Sequence, residues 1–274
     1  MEWKGILRKM KGELVRDASG RSLPVKYGLP VGDSMLDMDG WPGSEIELRY
    51  LGEIYCIRCG RKTKTSFAQG YCYPCFLSAP ETDACVLKPE LCRAHEGISR
   101  DMEWSKEHCL IDHFVYLALV SRVKVGVTRH TQIPGRWIDQ GAWKAIRLAR
   151  TPDRHTAGLI EVELKRYFSD KTNWRDMLRN VRDETVDLVR EKNRAAQYLI
   201  PRYESFLTGD DRTEEIQYPV NRYPEKVKGL NLEKTPAYRG VLEGVRGQYL
   251  IFSDGTVFNV RKHGGYLVSL RLEE

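Results

Sequence analysis

Hydrophobic and polar residues alternate near both ends of the chain, a pattern typical of strands that bury one face. Residues 45–51 alternate with a period of two. Beyond residue 236, short apolar segments are separated by Gly247, by Asp254-Gly255 and by Gly264-Gly265. An Asp-Gly pair between apolar runs is a strong hairpin signal. Both terminal segments are therefore predicted to be β-rich, and one shared barrel or sheet would accommodate them.

The middle of the chain alternates strand and helix signals. Residues 113–118 and 124–128 are two apolar β-type runs with a tight connection, which predicts a hairpin. Pro134 suits the first turn of a helix. Residues 145–149 predict a further strand, and residues 157–168 carry apolar side chains at helical spacing. The predicted order is strand, strand, helix, strand, helix.

Length and composition favour a soluble protein of several modules. The 274 residues exceed the commonest single domain, and 41% hydrophobic residues suffice for globular cores. No apolar run approaches the roughly 18 residues of a membrane span. The first ten residues are charged where a signal peptide would be apolar. We expect a cytoplasmic protein that does not associate with membranes.

The positive charge is concentrated in one part of the chain. The net charge is +6, yet residues 122–182 carry 14 Lys and Arg against 6 Asp and Glu, a local balance of +8. A basic module in an otherwise balanced chain indicates a polyanionic partner, with DNA or RNA the leading candidate. The alternative is a solvated basic face without a partner.

Four cysteines have the spacing of a zinc ribbon. Cys56 and Cys59 form one Cys-x-x-Cys pair, and Cys72 and Cys75 form a second pair after twelve intervening residues. Two such turns close a tetrahedron of thiolates around Zn²⁺. Because all four ligands come from the protein, the predicted zinc ion is structural.

A second zinc site is predicted from the remaining cysteines. Cys85, Cys92, His95 and Cys109 could form a closed site of three thiolates and one imidazole. His108 is a competing ligand. Buried cysteines also serve as small apolar residues, so a core role for these thiols stays open.

The α/β region resembles the GIY-YIG endonuclease superfamily. Residues 114–116 stand where that superfamily has Gly-Ile-Tyr, and residues 124–126 stand where it has Tyr-Ile-Gly. Thr128 and Arg136 match the usual continuation, and Glu161 falls on the helix that carries the metal-binding glutamate. The chain also resembles an uncharacterised bacterial family that combines an N-terminal zinc-ribbon region with a GIY-YIG-like domain. The stretches that carry this larger resemblance are residues 69–75, 88–92, 136–142 and 170–174.

The resemblance implies a phosphodiester-cleaving site. Tyr116 would take a proton from an attacking water if cations such as Lys124 lowered the pKa of its phenol from about 10. Arg136 would hold phosphoryl oxygens with its forked guanidinium, and Glu161 would hold one Mg²⁺. Sequence-independent attraction for phosphate would come from Arg122, Arg129, Lys144, Arg147 and Arg154.

Several positions depart from the superfamily pattern or have ordinary structural explanations. Phe114 replaces the first motif glycine, and Lys124 replaces the second motif tyrosine. Glu163 lies at a similar angle to Glu161 on the predicted helix, so periodicity does not choose between them. Tyr116 would equally suit a half-buried core position, and Arg136 a surface ion pair.

Together these patterns predict an α+β protein in five segments: a β-rich module (1–54), a zinc-binding region (55–112), a GIY-YIG-like domain (113–182), a helix and connector (183–235) and a C-terminal β segment (236–274). Three functional hypotheses follow. The first is a zinc-containing protein that binds nucleic acid without cutting it. The second is an active Mg²⁺-dependent endonuclease, and the third is a zinc-stabilised scaffold for protein interactions.

Overall fold

The computed structural model describes residues 1–273, and this part of the chain combines strands and helices in an α+β fold. The strands are β1 (Glu2–Ile6), β2 (Lys11–Arg16), β3 (Ser22–Val31), β4 (Ser34–Asp37), β5 (Glu45–Tyr55), β6 (Lys62–Thr63), β7 (His113–Leu119), β8 (Val123–Arg129), β9 (Lys144–Thr151), β10 (Thr213–Glu215), β11 (Lys228–Gly229), β12 (Ala237–Arg246), β13 (Tyr249–Phe252), β14 (Thr256–Asn259) and β15 (Tyr266–Glu273). The α-helices are α1 (Tyr73–Ser78), α2 (Ala84–Leu87), α3 (Met102–His108), α4 (Gly135–Asp139), α5 (Arg154–Leu164), α6 (Trp174–Leu178) and α7 (Leu188–Leu199). Within the described residues, no helix is both long enough and apolar enough to cross a membrane.

The chain divides into two compact units. Unit 1 contains residues 1–77, 178–180 and the chain from residue 217 onward, and unit 2 contains residues 78–177 and 181–216. Unit 1 contains two sheets and unit 2 contains one, and each unit has its own group of clustered cysteines.

Unit 1 is built on an open sheet that joins strands from both ends of the chain. Its order is β1-β15-β5-β12-β13-β14-β11, with β6 also paired to β5, and β2, β3 and β4 form a separate three-stranded sheet. In β5, Ile46 and Leu48 are buried while the intervening Glu47 is only partly so, because alternate side chains point to opposite faces. The α+β prediction is confirmed, and among the described residues the two terminal segments share an open sheet rather than a closed barrel.

Unit 2 is built on an antiparallel sheet of order β10-β9-β7-β8. The elements β7, β8, α4, β9 and α5 follow one another in the order that the hydrophobic pattern predicts. Val115, Leu117 and Leu119 of β7 face a core that also contains Ile160 and Leu164 of α5. The intervening Tyr116 and Ala118 point to the other face of the sheet.

Strand β10 was not anticipated from the sequence. It pairs antiparallel with β9 at the edge of the sheet, in a stretch expected to be a connector. Its three residues, Thr213–Glu215, offer no apolar alternation that could announce a strand.

Candidate functional site

The first cysteine cluster lies in unit 1, where β5 ends and α1 begins. The Sγ atoms of Cys56, Cys59, Cys72 and Cys75 all lie within 4.8 Å of one another. Sulfurs placed tetrahedrally about 2.3 Å from zinc are about 3.8 Å apart, and the Sγ atoms of Cys59 and Cys72 are 3.8 Å apart. These four thiols could therefore hold a metal ion in a closed tetrahedral site.

Backbone hydrogen bonds favour the thiolate form of Cys56, one of the four thiols in this cluster. Burial raises the pKa of Cys56, but hydrogen bonds from the backbone N–H groups of Cys59, Cys72 and Arg58 outweigh it and lower this pKa to about 6. Gly60 has a φ of +71°, a conformation that L side chains rarely adopt, at the turn that follows Cys59. The turn thus directs the backbone N–H groups of Arg58 and Cys59 toward the sulfur of Cys56.

The second cysteine cluster lies in unit 2. Cys85, Cys92 and Cys109 are buried, and their Sγ atoms lie within 4.8 Å of one another. In the described part of the chain, no imidazole joins this group. The ring of His95 instead stacks on His155 at a centroid distance of 4.4 Å. His108 stacks on Trp104, and its Nδ1 lies 2.9 Å from the Trp104 carbonyl oxygen.

Arg154 is buried against the second cluster. Its guanidinium Nη1 lies 3.8 Å from Cys85 Sγ, and Nη2 donates to the His108 carbonyl oxygen at 3.0 Å. Only 8% of the residue is exposed. Arg154 therefore does not contribute to an exposed basic surface, contrary to the expectation from its charge.

Tyr116 and Arg136 are linked through Gln140. Tyr116 is fully buried in β7 and pairs in register with Gly126 of β8. In one orientation of the Gln140 amide, both its nitrogen and its oxygen have hydrogen-bond partners. The nitrogen then donates to the Tyr116 hydroxyl oxygen at 2.8 Å, and the oxygen accepts from Nε and Nη2 of Arg136, both at 3.1 Å. Burial raises the pKa of Tyr116 above its ordinary value, and Arg136 only partly opposes this shift. The phenol is therefore protonated at neutral pH.

Lys124 lies two residues before Gly126 on β8 and is only 5% exposed. Burial, reinforced by the nearby Arg136, lowers the pKa of Lys124 to about 8, while Glu161 and Asp170 act in the opposite direction. Its Nζ donates to Thr172 Oγ1 at 3.2 Å. In the described part of the chain, no carboxylate lies within 4.0 Å of this Nζ.

Glu161 completes the group. Burial raises the pKa of Glu161, and Lys165, whose Nζ lies 3.2 Å from Oε2, opposes the shift. Glu161 acts electrostatically on both Tyr116 and Lys124. Glu163 instead pairs with Arg166 at 3.0 Å. Tyr116, Lys124, Arg136 and Glu161 thus interact electrostatically in one region of unit 2, whereas Glu163 forms an ion pair with Arg166.

Lys124 also lines a polar pocket of about 370 Å³ in unit 2. Arg122 and Lys171 contribute two further cations, and Asp176 is the one carboxylate among the lining residues. Asp176 accepts a hydrogen bond from Asn173 Nδ2 at 2.7 Å. The pocket is large enough for a phosphate group, and its cations outnumber its carboxylates.

A family model matches residues 43–268 of the chain. The chain belongs to the family described as "Protein of unknown function (DUF2797)". The matched residues include both cysteine clusters and the group around Tyr116. No curated protein and no solved structure matches the chain.

The remaining basic residues predicted to contact phosphate are dispersed in this DUF2797 chain. Lys144 pairs with Glu215 at 3.1 Å, and Arg147 pairs with Asp210 at 3.3 Å. Arg129 is half-buried, and burial together with Arg154 lowers its pKa. Of the five predicted residues, Arg122 is the one that lines the polar pocket.

The pocket residues Lys171, Thr172 and Asn173 are not among the residues that the sequence predicts for a site. They belong to residues 170–174, a stretch noted only for its family resemblance. In the sequence they belong to a polar run, residues 169–173, that begins after the buried Phe168. Gln140 is not among the predicted residues either, since nothing in a sequence indicates that an amide will bridge a buried phenol and a guanidinium.

Proposed function

We propose that this protein is a zinc-containing nucleic-acid-binding protein, and that unit 2 engages the phosphate backbone through the pocket lined by Lys124, Arg122 and Lys171. The observation that carries this proposal is the environment of Lys124. A buried ammonium group is costly unless an anion compensates it. Within the described residues, no carboxylate lies at contact distance from the Lys124 ammonium group. A phosphate in the pocket would provide the compensating negative charge.

The order and pairing of the strands support a GIY-YIG-like module in unit 2. β7 lies between β8 and β9, and all three are antiparallel. Helix α4 connects β8 to β9, and α5 follows β9. This arrangement agrees with the motif resemblance of residues 113–182. The resemblance assigns Tyr116, Arg136 and Glu161 to one site.

The four-thiol cluster supports a structural zinc ion in unit 1. Zinc fits its donors because it accepts four thiolates in a tetrahedron, and the sulfur spacing agrees with that geometry. Four protein ligands leave no position for a reacting water. The zinc ion would therefore stabilise the turns around residues 56–75 rather than take part in chemistry.

Binding is favoured over cleavage by the state of Tyr116. A general base must reach the water that it deprotonates, yet Tyr116 is fully buried and bonded to Gln140. Its raised pKa makes it a protonated phenol rather than a phenolate. The endonuclease hypothesis keeps one supporting observation, the proximity of Arg136 and Glu161 to this phenol, with Glu161 as the residue that would hold Mg²⁺.

Salt-dependent binding tests the proposal. The full chain is titrated with fluorescent duplex DNA and with RNA at increasing salt, and Arg122→Ala/Lys171→Ala is compared with the wild type. Losing two phosphate contacts on duplex DNA reduces the slope of log affinity against log salt by about two. The matched control is Lys106→Ala/Arg190→Ala, which removes two exposed cations that are 60% and 88% accessible and lie outside the pocket.

Two outcomes would overturn the proposal. One is salt-insensitive or absent binding to both nucleic acids, which would favour the interaction scaffold. The other is an equal change of slope in the pocket variant and in its control, because that result would assign the binding to general charge.

A further inference from the structure

The second cysteine cluster faces a cavity of about 320 Å³ in unit 2. All three thiols, of Cys85, Cys92 and Cys109, line it. Leu91 and Ile98, which are 52% and 49% exposed, also line the cavity, so it reaches the solvent. A metal ion held by these sulfurs would therefore have a route to molecules outside the protein.

The protein supplies no fourth ligand at this position in the part of the chain that the structure describes. His95 and His108 are stacked on His155 and Trp104 and lie outside the group of converging donor atoms. Asp83 lines the cavity, but its Oδ1 accepts from the Cys85 backbone N–H at 3.0 Å and its Oδ2 lies 3.2 Å from Arg100 Nε. The structure thus brings together the three predicted thiols without the predicted imidazole of His95.

Arg154 is a second, independent indication of a charged centre at these thiols. Its guanidinium is buried and lies 3.8 Å from Cys85 Sγ, and no carboxylate among the described residues lies within ion-pair distance of it. A buried cation needs a counter-charge. Three thiolates and one Zn²⁺ sum to a single negative charge, which Arg154 balances.

We propose that Cys85, Cys92 and Cys109 bind a zinc ion whose fourth coordination position opens on this cavity and accepts a small neutral nitrogen-donor ligand. Zinc with three protein ligands and one exchangeable position is the arrangement of reactive rather than structural sites. A neutral donor preserves the charge balance with Arg154, whereas a fourth thiolate would add a second negative charge that Arg154 does not balance. The cavity is of a size that small molecules occupy, and Trp104 supplies an aromatic wall. This inference goes beyond nucleic-acid binding and does not depend on it.

The test uses the full wild-type chain loaded with ¹¹³Cd²⁺, followed by NMR during titration with imidazole. Two cadmium resonances are expected, one from each cysteine cluster. Imidazole is expected to shift one of them in a saturable way and to leave the other, from the closed four-thiol site, unchanged. A single bound cadmium, or two resonances that both ignore imidazole, would overturn the proposal.

Two variants identify the responding site and its ligands. Cys92→Ser is expected to remove the imidazole-sensitive resonance and to keep the insensitive one. If Cys92→Ser does not fold, the wild-type titration still decides the question. His95→Ala is expected to respond to imidazole as the wild type does. A response that appears only after His95 is removed would show that His95 closes the site, and the proposal would be wrong.

Discussion

A β-carbon added to Gly126 would lie 2.6 Å from the hydroxyl oxygen of Tyr116, its partner across the β7–β8 pair. Real β-carbons do not approach other atoms so closely, and the Tyr116 ring cannot retreat because it is fully buried against Trp137. The position of the Tyr116 hydroxyl therefore leaves no space for a side chain at residue 126. Gly126 of β8 and Tyr116 of β7 therefore pack as a pair, on the face of the sheet opposite to Leu117 and its partner Val125.

Gly126→Ala is expected to destabilise the protein by about 1–3 kcal/mol, the usual cost of overpacking a core. The free energy of unfolding in urea measures the effect. Gly209→Ala is the matched control, because a β-carbon there meets no atom within 4 Å. Adding Tyr116→Phe to Gly126→Ala should recover part of the loss. Equal stability of Gly126→Ala and the control would contradict the packing argument.

Affinity for nucleic acid is expected to depend on pH through Lys124. Its pKa in the free protein is about 8, below the ordinary value because of burial and Arg136. The protonated form attracts phosphate, so affinity should be nearly constant below this pKa. Above this pKa, affinity should fall by up to about tenfold per pH unit, as expected when binding depends on one proton. Binding titrations from pH 6.5 to about 9.5 at constant ionic strength measure it.

Lys124→Met is the control for this pH dependence, and it should bind more weakly with a flat profile. Stability and affinity are expected to change with pH in opposite directions, so a loss of binding above the pKa of Lys124 cannot be attributed to unfolding. Because the folded-state pKa is depressed, the contribution of Lys124 to the unfolding free energy rises between about pH 8 and the unfolded pKa of about 10.4. A wild-type affinity that stays flat through this range would exclude Lys124 from the phosphate site.

Removal of zinc should unfold the turns around the first cluster. Cys59→Ser is expected to lower the bound zinc by one equivalent and to abolish the protection of backbone amides in residues 56–75 from hydrogen exchange, since metal binding to such a segment is coupled to its folding. Elemental analysis and hydrogen-exchange mass spectrometry provide the two readouts. Strands β7 and β9 of unit 2 serve as the internal reference. Full protection of residues 56–75 in Cys59→Ser would mean that the thiols are not needed for the local fold.

No divalent-metal-dependent cleavage is expected from the wild type. Incubation of single-stranded and duplex DNA and RNA with Mg²⁺ or Mn²⁺ should yield no products above those of a Glu161→Gln control. The reason is the buried, protonated Tyr116, which cannot activate a water. Cleavage by the wild type that disappears in Glu161→Gln would replace the binding hypothesis with the endonuclease one.

Local patterns in the sequence predicted much of the fold. The apolar runs gave the order of β7, β8, α4, β9 and α5, because each run reflects the periodicity of its own element. The Cys-x-x-Cys pairs similarly indicated the four-thiol cluster, since two ligands on one tight turn are neighbours whatever the rest of the chain does.

Features that depend on distant contacts were beyond the sequence. The charge of Arg154 suggested a phosphate contact, but the helix start at Asp153 places the guanidinium against Cys85. His95 is close to the cysteines along the chain, yet its short turn directs the ring to His155. Periodicity could not separate Glu161 from Glu163, because that choice depends on which side of α5 faces Lys124.

Because β15 pairs with both β1 and β5, the main sheet of unit 1 can be completed only after β15 has been synthesised. Contacts between Trp3 and Leu270, or between Leu48 and Leu270, cannot form on a ribosome until the last strand has emerged. The sheet of unit 2 needs nothing beyond residue 215. During synthesis, the edge of β5 that pairs with β15 must therefore stay open while more than 200 further residues are added. A metal ion bound directly after β5, at Cys56, would hold this end of the strand in place before β12 and β15 are available.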